Sequence, residues 1–405
     1  MKRVVVTGMG CVTPLGNSLE TFRQGLLNGC SGVSALTLFN APSLPSRIAG
    51  QCTLPAFQFK DRKIDFARYA TRAAVDHANQ SGQPLGSYYQ PQERGISMGI
   101  GLELLNMPDL VRYACNQEEE LEQIDFLQTP GDLCVRQMAT LLETRLPSAI
   151  HISACAAGTD AIGDAFLRIA RGQARMMLTG GTDSMINPLG LAGFCKLNAL
   201  STRNHEPEKA SRPFDQNRDG FVLGEGGAVM VLENRDDALQ RGAQIFAEVL
   251  GYANAMDAYS ISEPDPEGRG AARAMFTALK MAGLSASDLS YINAHGTSTP
   301  KNDPAETCAI KTVLGDASDK IPVSSTKSMI GHLISAAGAV EVVASILCAN
   351  AGMVHPTINL EHPDPACDLD YVPGQARRVN VEHFMSNSFA FGGMNASLIF
   401  RNGRG

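Results

Sequence analysis

The stretch HISACAAGTD, residues 151–160, is the part of the chain that best indicates its fold and chemistry. It has the pattern of a short strand that runs into a helix, with Cys155 at the junction. A thiol at a helix start faces free backbone N–H groups and the positive end of the helix dipole, and both favour the thiolate. The sequence therefore predicts a nucleophile at Cys155, although a buried structural cysteine is the commoner fate of a free thiol.

Strand and helix patterns alternate outward from this junction. The predicted strands of the first half cover residues 3–7, 95–101, 149–153 and 176–179, and the predicted helices cover residues 64–78, 133–146 and 156–171. In the last of these helices Ile162, Ala165, Phe166 and Ile169 recur on one face. This βαβ rhythm indicates α/β layers around a mixed sheet.

The second half of the chain repeats the scheme. Strands are predicted at residues 290–293 and 321–324, and the second leads through a turn into an Ala/Gly-rich helix at residues 331–350. We therefore expect two similar halves around a pseudo-twofold axis, with junction residues from both halves in one cleft. The predicted domains are residues 1–242, which carry the nucleophile, and residues 243–405.

Composition excludes several classes of protein. The 405 residues are 44% hydrophobic and 19% charged, with a formal net charge of -7, so nothing favours general binding to nucleic acid or acidic lipid. Ten scattered cysteines are typical of reduced thiols in a cytoplasmic protein. The apolar run near the N-terminus is only three valines before Gly8, which favours a core strand over a signal peptide. No apolar run approaches the ~18 residues of a membrane-spanning helix.

Two short motifs are discarded. The run from Gly8 to Gly10 opens like a dinucleotide fingerprint, but Thr13 stands where the third glycine belongs. The pattern around Ser97 matches the hydrolase motif GxSxG, but a polar turn precedes it, so Ser97 is expected within a strand. The eight histidines show no metal-ligand spacing, and we expect no metal.

Three further features could carry chemistry. His295 lies in a Gly/Thr/Ser loop after a predicted strand, where either an active-site group or a hydrogen-bonded loop histidine fits. His332 is expected at the buried start of the second long helix, which would keep its imidazole neutral, while Lys327 could equally be a surface lysine. The run NSFAFGGMN, residues 387–395, fits a mobile flap or a hairpin turn whose glycines supply positive φ.

In combination, these residues resemble the β-ketoacyl-acyl-carrier-protein synthases, or ketosynthases, of the thiolase-fold superfamily. The chain is most similar to the elongating, type II-like branch, whose active site is Cys-His-His. The resemblance covers essentially the whole chain and includes VVVTGMG (residues 4–10), ALSTRN (199–204), SRPFD (211–215) and RDGFVLGEG (218–226). It implies an α/β thiolase fold, a five-layered αβαβα arrangement of two similar halves, and a dimer.

The resemblance also implies roles for individual residues. Cys155 would be the acylated nucleophile, His295 and His332 the malonyl site, and Lys327 their electrostatic support. Phe391 would be the gate, and its backbone N–H would form an oxyanion hole with that of Cys155. The remaining residues that the resemblance places at the gate or in support are Gly392, Gly393, Glu306, Phe389, Asp257, Thr297 and Thr299.

The implied activity is a decarboxylative Claisen condensation of malonyl-acyl-carrier-protein with an acyl group on the cysteine. It needs no bound cofactor, since the substrates arrive on the phosphopantetheine of the acyl carrier protein. The expected partners are that carrier and a second subunit, which is either a copy of the chain or a homologue resembling a chain-length factor. Thiolase activity on coenzyme A esters is less favoured, because the turn at residues 391–393 lacks the Cys-x-Gly of thiolases. A non-catalytic chain-length factor would lack the nucleophile.

Departures from the family pattern concern the gate and the pocket. Ala390 replaces the first glycine of Gly-Phe-Gly-Gly, which should stiffen the flap. Ser260 stands where histidine is common, Pro304 where lysine is common, and Ala156-Ala157 follow the nucleophile in place of Thr-Ser or Ala-Ser. These changes favour a polyketide or polyene pathway, and a homodimeric synthase of housekeeping fatty-acid elongation is the alternative.

Overall fold

A computed structural model describes residues 1–101 and 131–403. The strands in these ranges are β1 (Val4–Val12), β2 (Val33–Ala35), β3 (Ile48–Gly50), β4 (Arg94–Ile100), β5 (Ala149–His151), β6 (Met176–Ser184), β7 (Glu225–Asn234), β8 (Ala247–Met256), β9 (Tyr291–Asn293), β10 (Val323–Ser324), β11 (Met353–Val354), β12 (Arg377–Arg378), β13 (His383–Ala390) and β14 (Met394–Asn402). The α-helices are α1 (Leu19–Leu27), α2 (Arg62–Ala78), α3 (Leu85–Tyr88), α4 (Gly131–Leu142), α5 (Ala157–Ala170), α6 (Pro188–Lys196), α7 (Arg235–Gln240), α8 (Arg269–Ala282), α9 (Asn302–Leu314), α10 (Lys327–Ile330) and α11 (Ala337–Asn350).

Ten of the described strands form one mixed sheet in which the same arrangement occurs twice. The order is β5-β4-β6-β7-β1 followed by β8-β14-β13-β9-β10. In each half the first strand in sequence pairs antiparallel with the last, and the second pairs parallel with its two neighbours. Pairing of Val4 to Val6 of β1 with Ala247 to Val249 of β8 joins the halves. The expectation of two similar halves is confirmed.

Helices cover both faces of each half of the sheet. Helices α2 and α4 pack on the outer side of the first half, and α8 packs on the outer side of the second with α9 against it. Helices α5 and α11 lie between the two halves and contact each other and strands of both. This is the expected five-layered αβαβα arrangement, and it places the starts of α5 and α11 at the centre of the molecule.

Two predicted strands, β1 and β6, each extend five residues beyond their predicted ends. Strand β1 continues past Gly8 and Gly10 to Val12, because these glycines let α2 lie directly on the strand. A Cβ built at Gly8 would be 2.4 Å from the carbonyl oxygen of Ala74, and one at Gly10 would be 2.2 Å from that of Ala70. Strand β6 likewise extends beyond Thr179 to Ser184.

The second long helix also begins later than predicted. It starts at Ala337 rather than residue 331, after a 3-10 turn at Ile334–Ala336. His332 therefore does not lie at the N-terminus of α11, so the helix dipole is not what keeps its imidazole neutral. The domain boundary at residue 242 stays a prediction. Within the described residues, no helix is long and apolar enough to span a membrane.

The two junctions that precede the central helices have the same backbone form. A 3-10 turn at Ala154–Ala156 leads into α5, as the turn at Ile334–Ala336 leads into α11. Each turn begins at a non-glycine residue with positive φ, 47° at Ala154 and 46° at Ile334. The repetition confirms at the level of single residues that the halves are alike.

Candidate active site

A cavity of about 370 Å³ opens at the first of these junctions and draws its walls from both halves. Cys155 enters from the turn before α5, while the loop after β9, the loop before α11 and the β13–β14 hairpin supply the other sides. The predicted site residues that line it are Cys155, His295, His332, Asp257, Thr297, Thr299, Phe389 and Phe391.

Three reactive side chains meet at the floor of the cavity. His332 Nε2 lies 3.0 Å from Cys155 Sγ. The rings of His295 and His332 are 5.3 Å apart and nearly perpendicular. One ligand atom from each of the three residues falls within 4.8 Å of the others, and all three side chains are buried. The sequence places these residues up to 177 positions apart, and the fold brings them together.

Hydrogen bonds to Nδ1 determine which imidazole nitrogen carries the proton. The backbone N–H of Ile334 donates to His332 Nδ1 at 3.3 Å, and the Lys327 ammonium donates to His295 Nδ1 at 3.2 Å. A nitrogen that accepts a hydrogen bond is unprotonated, so a neutral ring carries its proton on Nε2. Both imidazoles therefore offer an Nε2–H donor.

The same surroundings keep both imidazoles uncharged. Burial, followed by the positive charge of Lys327, lowers the pKa of His295 and of His332 well below the ordinary value. Lys327 is 1% exposed and donates to Glu341 Oε1 at 2.5 Å, so it is not a surface lysine. Neutral histidine was predicted for His332 from burial at a helix start; burial is confirmed as the largest cause, and the Lys327 cation takes the place of the helix dipole.

The hydrogen bonds disfavour a metal ion at this cluster, although a Cys-His-His set could ligate zinc. A histidine that binds a metal through one nitrogen usually donates from the other nitrogen to an acceptor. Here Nδ1 of His332 faces an N–H group and Nδ1 of His295 faces an ammonium. Binding a metal at Nε2 would place donor against donor at both rings.

The protonation state of Cys155 differs from the prediction. Burial raises the pKa of its thiol to about 12, and this outweighs the Lys327 charge and the backbone N–H groups of Phe391 and Cys155, which act in the opposite direction. The predicted thiolate is therefore wrong for the resting site, because removal from water costs the anion more than the N–H groups of a single turn return. The nearby N–H groups of Phe391 and Cys155 nevertheless fit the predicted oxyanion hole.

Carboxylates hold the loop that carries His295. Glu306 accepts hydrogen bonds from the backbone N–H of His295 at 2.8 Å and of Gly296 at 2.7 Å. Burial raises the pKa of Glu306 to about 7. Asp303 accepts from Thr297 N–H at 3.1 Å on the same loop. Glu306 thus acts on the site through the backbone and does not line the cavity.

The segment Phe391-Gly392-Gly393 is a hairpin turn between β13 and β14. Gly392 and Gly393 have φ of 83° and 75°, which matches the turn alternative. Gly392 N–H donates to the carbonyl of Ile261 at 2.7 Å. Asp257 braces the turn, since its N–H donates to Gly393 O at 2.9 Å and its Oδ1 accepts from Asn395 at 2.7 Å. Phe391 is 38% exposed at the tip.

The remaining predicted residues form the walls. The hydroxyl groups of Thr297 and Thr299 are 2.9 Å apart, and the ring of Phe389 lies 5.8 Å from that of His295. Sequence reasoning missed Glu341 and Asp303. The signal for Glu341 was available, because a single acidic residue in the otherwise apolar helix α11 needs a buried cationic partner.

Comparison with known proteins shows the family to which the chain belongs. Residues 1–238 match the family model for the β-ketoacyl synthase N-terminal domain, and residues 246–361 match that for the C-terminal domain. The chain is 44% identical to the 3-oxoacyl-[acyl-carrier-protein] synthase 2 of a Synechocystis species, over 99% of this chain and 98% of that protein.

Two solved structures are similar along the whole chain. One is a type II PKS acyl-carrier protein in complex with its ketosynthase bound to the hexaketide, with a TM-score of 0.87 and 34% identity. The other is the ishigamide ketosynthase/chain length factor, with a TM-score of 0.82 and 32% identity. Each match covers 99% of this chain and 99% of the other.

Proposed function

We propose the following function for this chain, which belongs to the β-ketoacyl synthase family and has its thiolase fold. It is a carrier-protein-dependent condensing enzyme that joins a malonyl unit, with loss of CO2, to an acyl group held on Cys155. The observation that carries the proposal is the meeting of Cys155 Sγ with two imidazoles whose protons lie on Nε2.

The first step is transfer of the acyl group. Cys155 Sγ attacks the carbonyl carbon of the carrier thioester, and the carbonyl oxygen gains negative charge. The N–H groups of Phe391 and Cys155 donate to this oxygen. The bond to the pantetheine sulfur then breaks, and the proton lost from the cysteine leaves on that sulfur. Because burial raises the pKa of the resting thiol, this proton has to leave the sulfur before or as the new bond forms.

The second step is decarboxylation of the malonyl thioester. The bond to the carboxylate carbon breaks, CO2 leaves, and the electron pair becomes an enolate. The Nε2–H groups of His295 and His332 donate to the enolate oxygen, and preorganised donors of this kind are worth about 3 kcal/mol each in a dry site. Neutral imidazoles can fill this role, because each of them keeps an Nε2–H donor.

The last step forms the carbon–carbon bond. The enolate carbon attacks the acyl-cysteine carbonyl, the oxyanion hole holds the tetrahedral intermediate, and the bond to Cys155 breaks. A proton from solvent restores the thiol, which balances the carboxylate lost as CO2. Loss of CO2 drives the bond formation, so we propose that no metal or redox cofactor takes part.

The test is Cys155→Ala, assayed for two activities. Condensation of acyl and malonyl carriers should disappear, while decarboxylation of malonyl carrier should persist or rise, since both imidazoles remain. His295→Ala in the same background should abolish that decarboxylation. Condensation by Cys155→Ala would overturn the proposal.

We propose two candidate pathways for this enzyme. The 44% identity to a 3-oxoacyl-[acyl-carrier-protein] synthase 2 supports chain elongation of the fatty-acid kind. The changes at Ala390 and Ser260 beside the turn support a ketosynthase of a type II polyketide or polyene system as the second candidate. Copurification from the native host and intact mass of both subunits would separate a homodimer from a pair with a chain-length factor.

A dimer of either kind is supported by the edge of the sheet at β5, which pairs only with β4 among the strands that the structure describes. Strand β5 ends the strand order, and Ile150 and Ile152 at this edge are 38% and 63% exposed. An exposed apolar edge strand favours pairing with another chain.

We also propose a cytoplasmic location, which the nine free cysteines of the described residues support.

A thiolase remains disfavoured. Thiolases need a second catalytic cysteine, and Cys155 is the only cysteine among the described residues that line the cavity.

A further inference from the structure

One wall of the cavity runs from the reactive floor to the solvent along a single stretch of chain. His295, Thr297, Thr299 and Lys301 all line the cavity, at every second position. His295 and Thr297 are 2% and 6% exposed, Thr299 is half-buried, and the Lys301 side chain is 62% exposed. A linear ligand that holds its thioester at His295 and follows this wall therefore leaves the cavity beside Lys301.

Lys301 forms an ion pair across the mouth. Its ammonium contacts the carboxylate of Glu263, which belongs to the segment that also braces the Phe391 turn through Ile261. The Glu263 side chain is 45% exposed. An ion pair between exposed side chains contributes about 0–1 kcal/mol, so an incoming anion can displace Glu263 at little cost.

Lys301 is the only lysine or arginine among the described residues that line the cavity. In the described part of the chain, the other charged side chains that line the cavity are the carboxylates Asp257 and Glu263. Any anion on a ligand at the mouth would therefore be repelled by the rim unless it met Lys301. An ammonium binds phosphate oxygens through charge-assisted hydrogen bonds.

We propose that Lys301 is a specificity residue that exchanges Glu263 for the phosphate of the phosphopantetheine arm. The inference rests on the proposed function, which brings an acyl group on this arm to Cys155. The carrier is a folded domain and stays outside the cavity, so the phosphate that joins the arm to it lies at the mouth. Glu263 holds the lysine in place and shields it until the arm arrives.

The test compares two small thioesters that bypass carrier docking, acyl-phosphopantetheine and acyl-pantetheine. The measured quantity is kcat/KM for acylation of Cys155, followed by intact mass, and the readout is the ratio of the phosphorylated to the dephosphorylated thioester. Lys301→Ala should lower this ratio about fivefold. Glu263→Gln should raise it, since the competing carboxylate is gone. Lys311→Ala is the matched control, because Lys311 on α9 pairs with Asp368 outside the cavity and should leave the ratio unchanged.

An unchanged ratio in Lys301→Ala would overturn the inference, including the case in which both thioesters lose the same factor. A lower ratio in Glu263→Gln would also overturn it, since the carboxylate would then be needed with the phosphate bound. Failure of the proposed function is distinguishable, because the unaltered enzyme would then not be acylated at Cys155 by either thioester.

Discussion

The two junctions before the central helices share a backbone form and differ in chemistry. Each has a 3-10 turn that starts at positive φ and leads into a helix of 14 residues. The middle residue of the first turn is Cys155, which faces the cavity, and the middle residue of the second is Ser335. Ser335 is buried, does not line the cavity, and donates its N–H to Asp183 Oδ2 at 3.0 Å.

The 3-10 turn alone therefore does not produce a nucleophile. At the second junction the side chains that reach the cavity are His332 and Ile334, which come before the middle of the turn. The two halves thus supply unlike groups to one site, a sulfur from the first and imidazoles from the second. A symmetric scaffold can support an asymmetric reaction in this way.

The largest effect should come from moving the thiol between the junctions. In Cys155→Ala combined with Ser335→Cys, acylation should remain at least about 1,000-fold below the unaltered enzyme, because position 335 is closed off from the cavity. The measurement is intact mass after exposure to an acyl-pantetheine thioester, with Cys155→Ala alone as the control. A stable adduct at position 335 would show that the two turns are interchangeable.

The next effect concerns the contact between the two helix starts. A Cβ at Gly338 would lie 2.0 Å from Thr159 Oγ1 and 2.8 Å from Ser388 Oγ. Gly338→Ala should therefore lower the free energy of unfolding by about 1–3 kcal/mol. Gly193→Ala is the control, because no atom lies within 4 Å of a Cβ there and helix propensity should raise stability by about 0.5–1 kcal/mol. Urea unfolding of both variants measures the difference, and equal changes would contradict the close approach.

A third effect concerns the action of the Lys327 charge on the two imidazoles. Lys327→Met, combined with Glu341→Gln to avoid an unpaired carboxylate, removes a cation that lowers the pKa of His295 and His332. Their pKa values should rise by about one unit, so the acid limb of activity moves to higher pH. Malonyl-carrier decarboxylation against pH, in a Cys155→Ala background, measures the shift. An acid limb that stays in place would mean that burial alone keeps the rings neutral.

The smallest effect is expected at the hairpin. Ala390 pairs with Met394 at the end of β13, and the positive φ values lie at Gly392 and Gly393 instead. Ala390→Gly should therefore loosen only the strand end and broaden acyl acceptance by less than about fivefold. The chain-length profile of acylation tests this, and an unchanged profile would contradict the predicted stiffening of the turn.

Hydrophobic periodicity predicted the architecture well wherever neighbouring residues in the sequence determine the secondary structure. The alternation of strands and helices and the likeness of the two halves follow from hydrophobic periodicity, and both are confirmed by the repeated strand order. The pattern failed where a distant segment intervenes. Strand β1 passes through Gly8 and Gly10 because α2 packs on them, and α11 starts late because residues 331–336 turn toward the site.

The reactive side chains and the repeated fold that holds them follow from the amino-acid sequence alone. The protonation states of these side chains depend on the tertiary structure. Burial makes the Cys155 thiol neutral, and the donors at Ile334 and Lys327 place the imidazole protons on Nε2. The fold could be predicted because periodicity is a property of neighbouring residues. The protonation states could not, because desolvation and hydrogen-bond partners come from segments far apart in the chain.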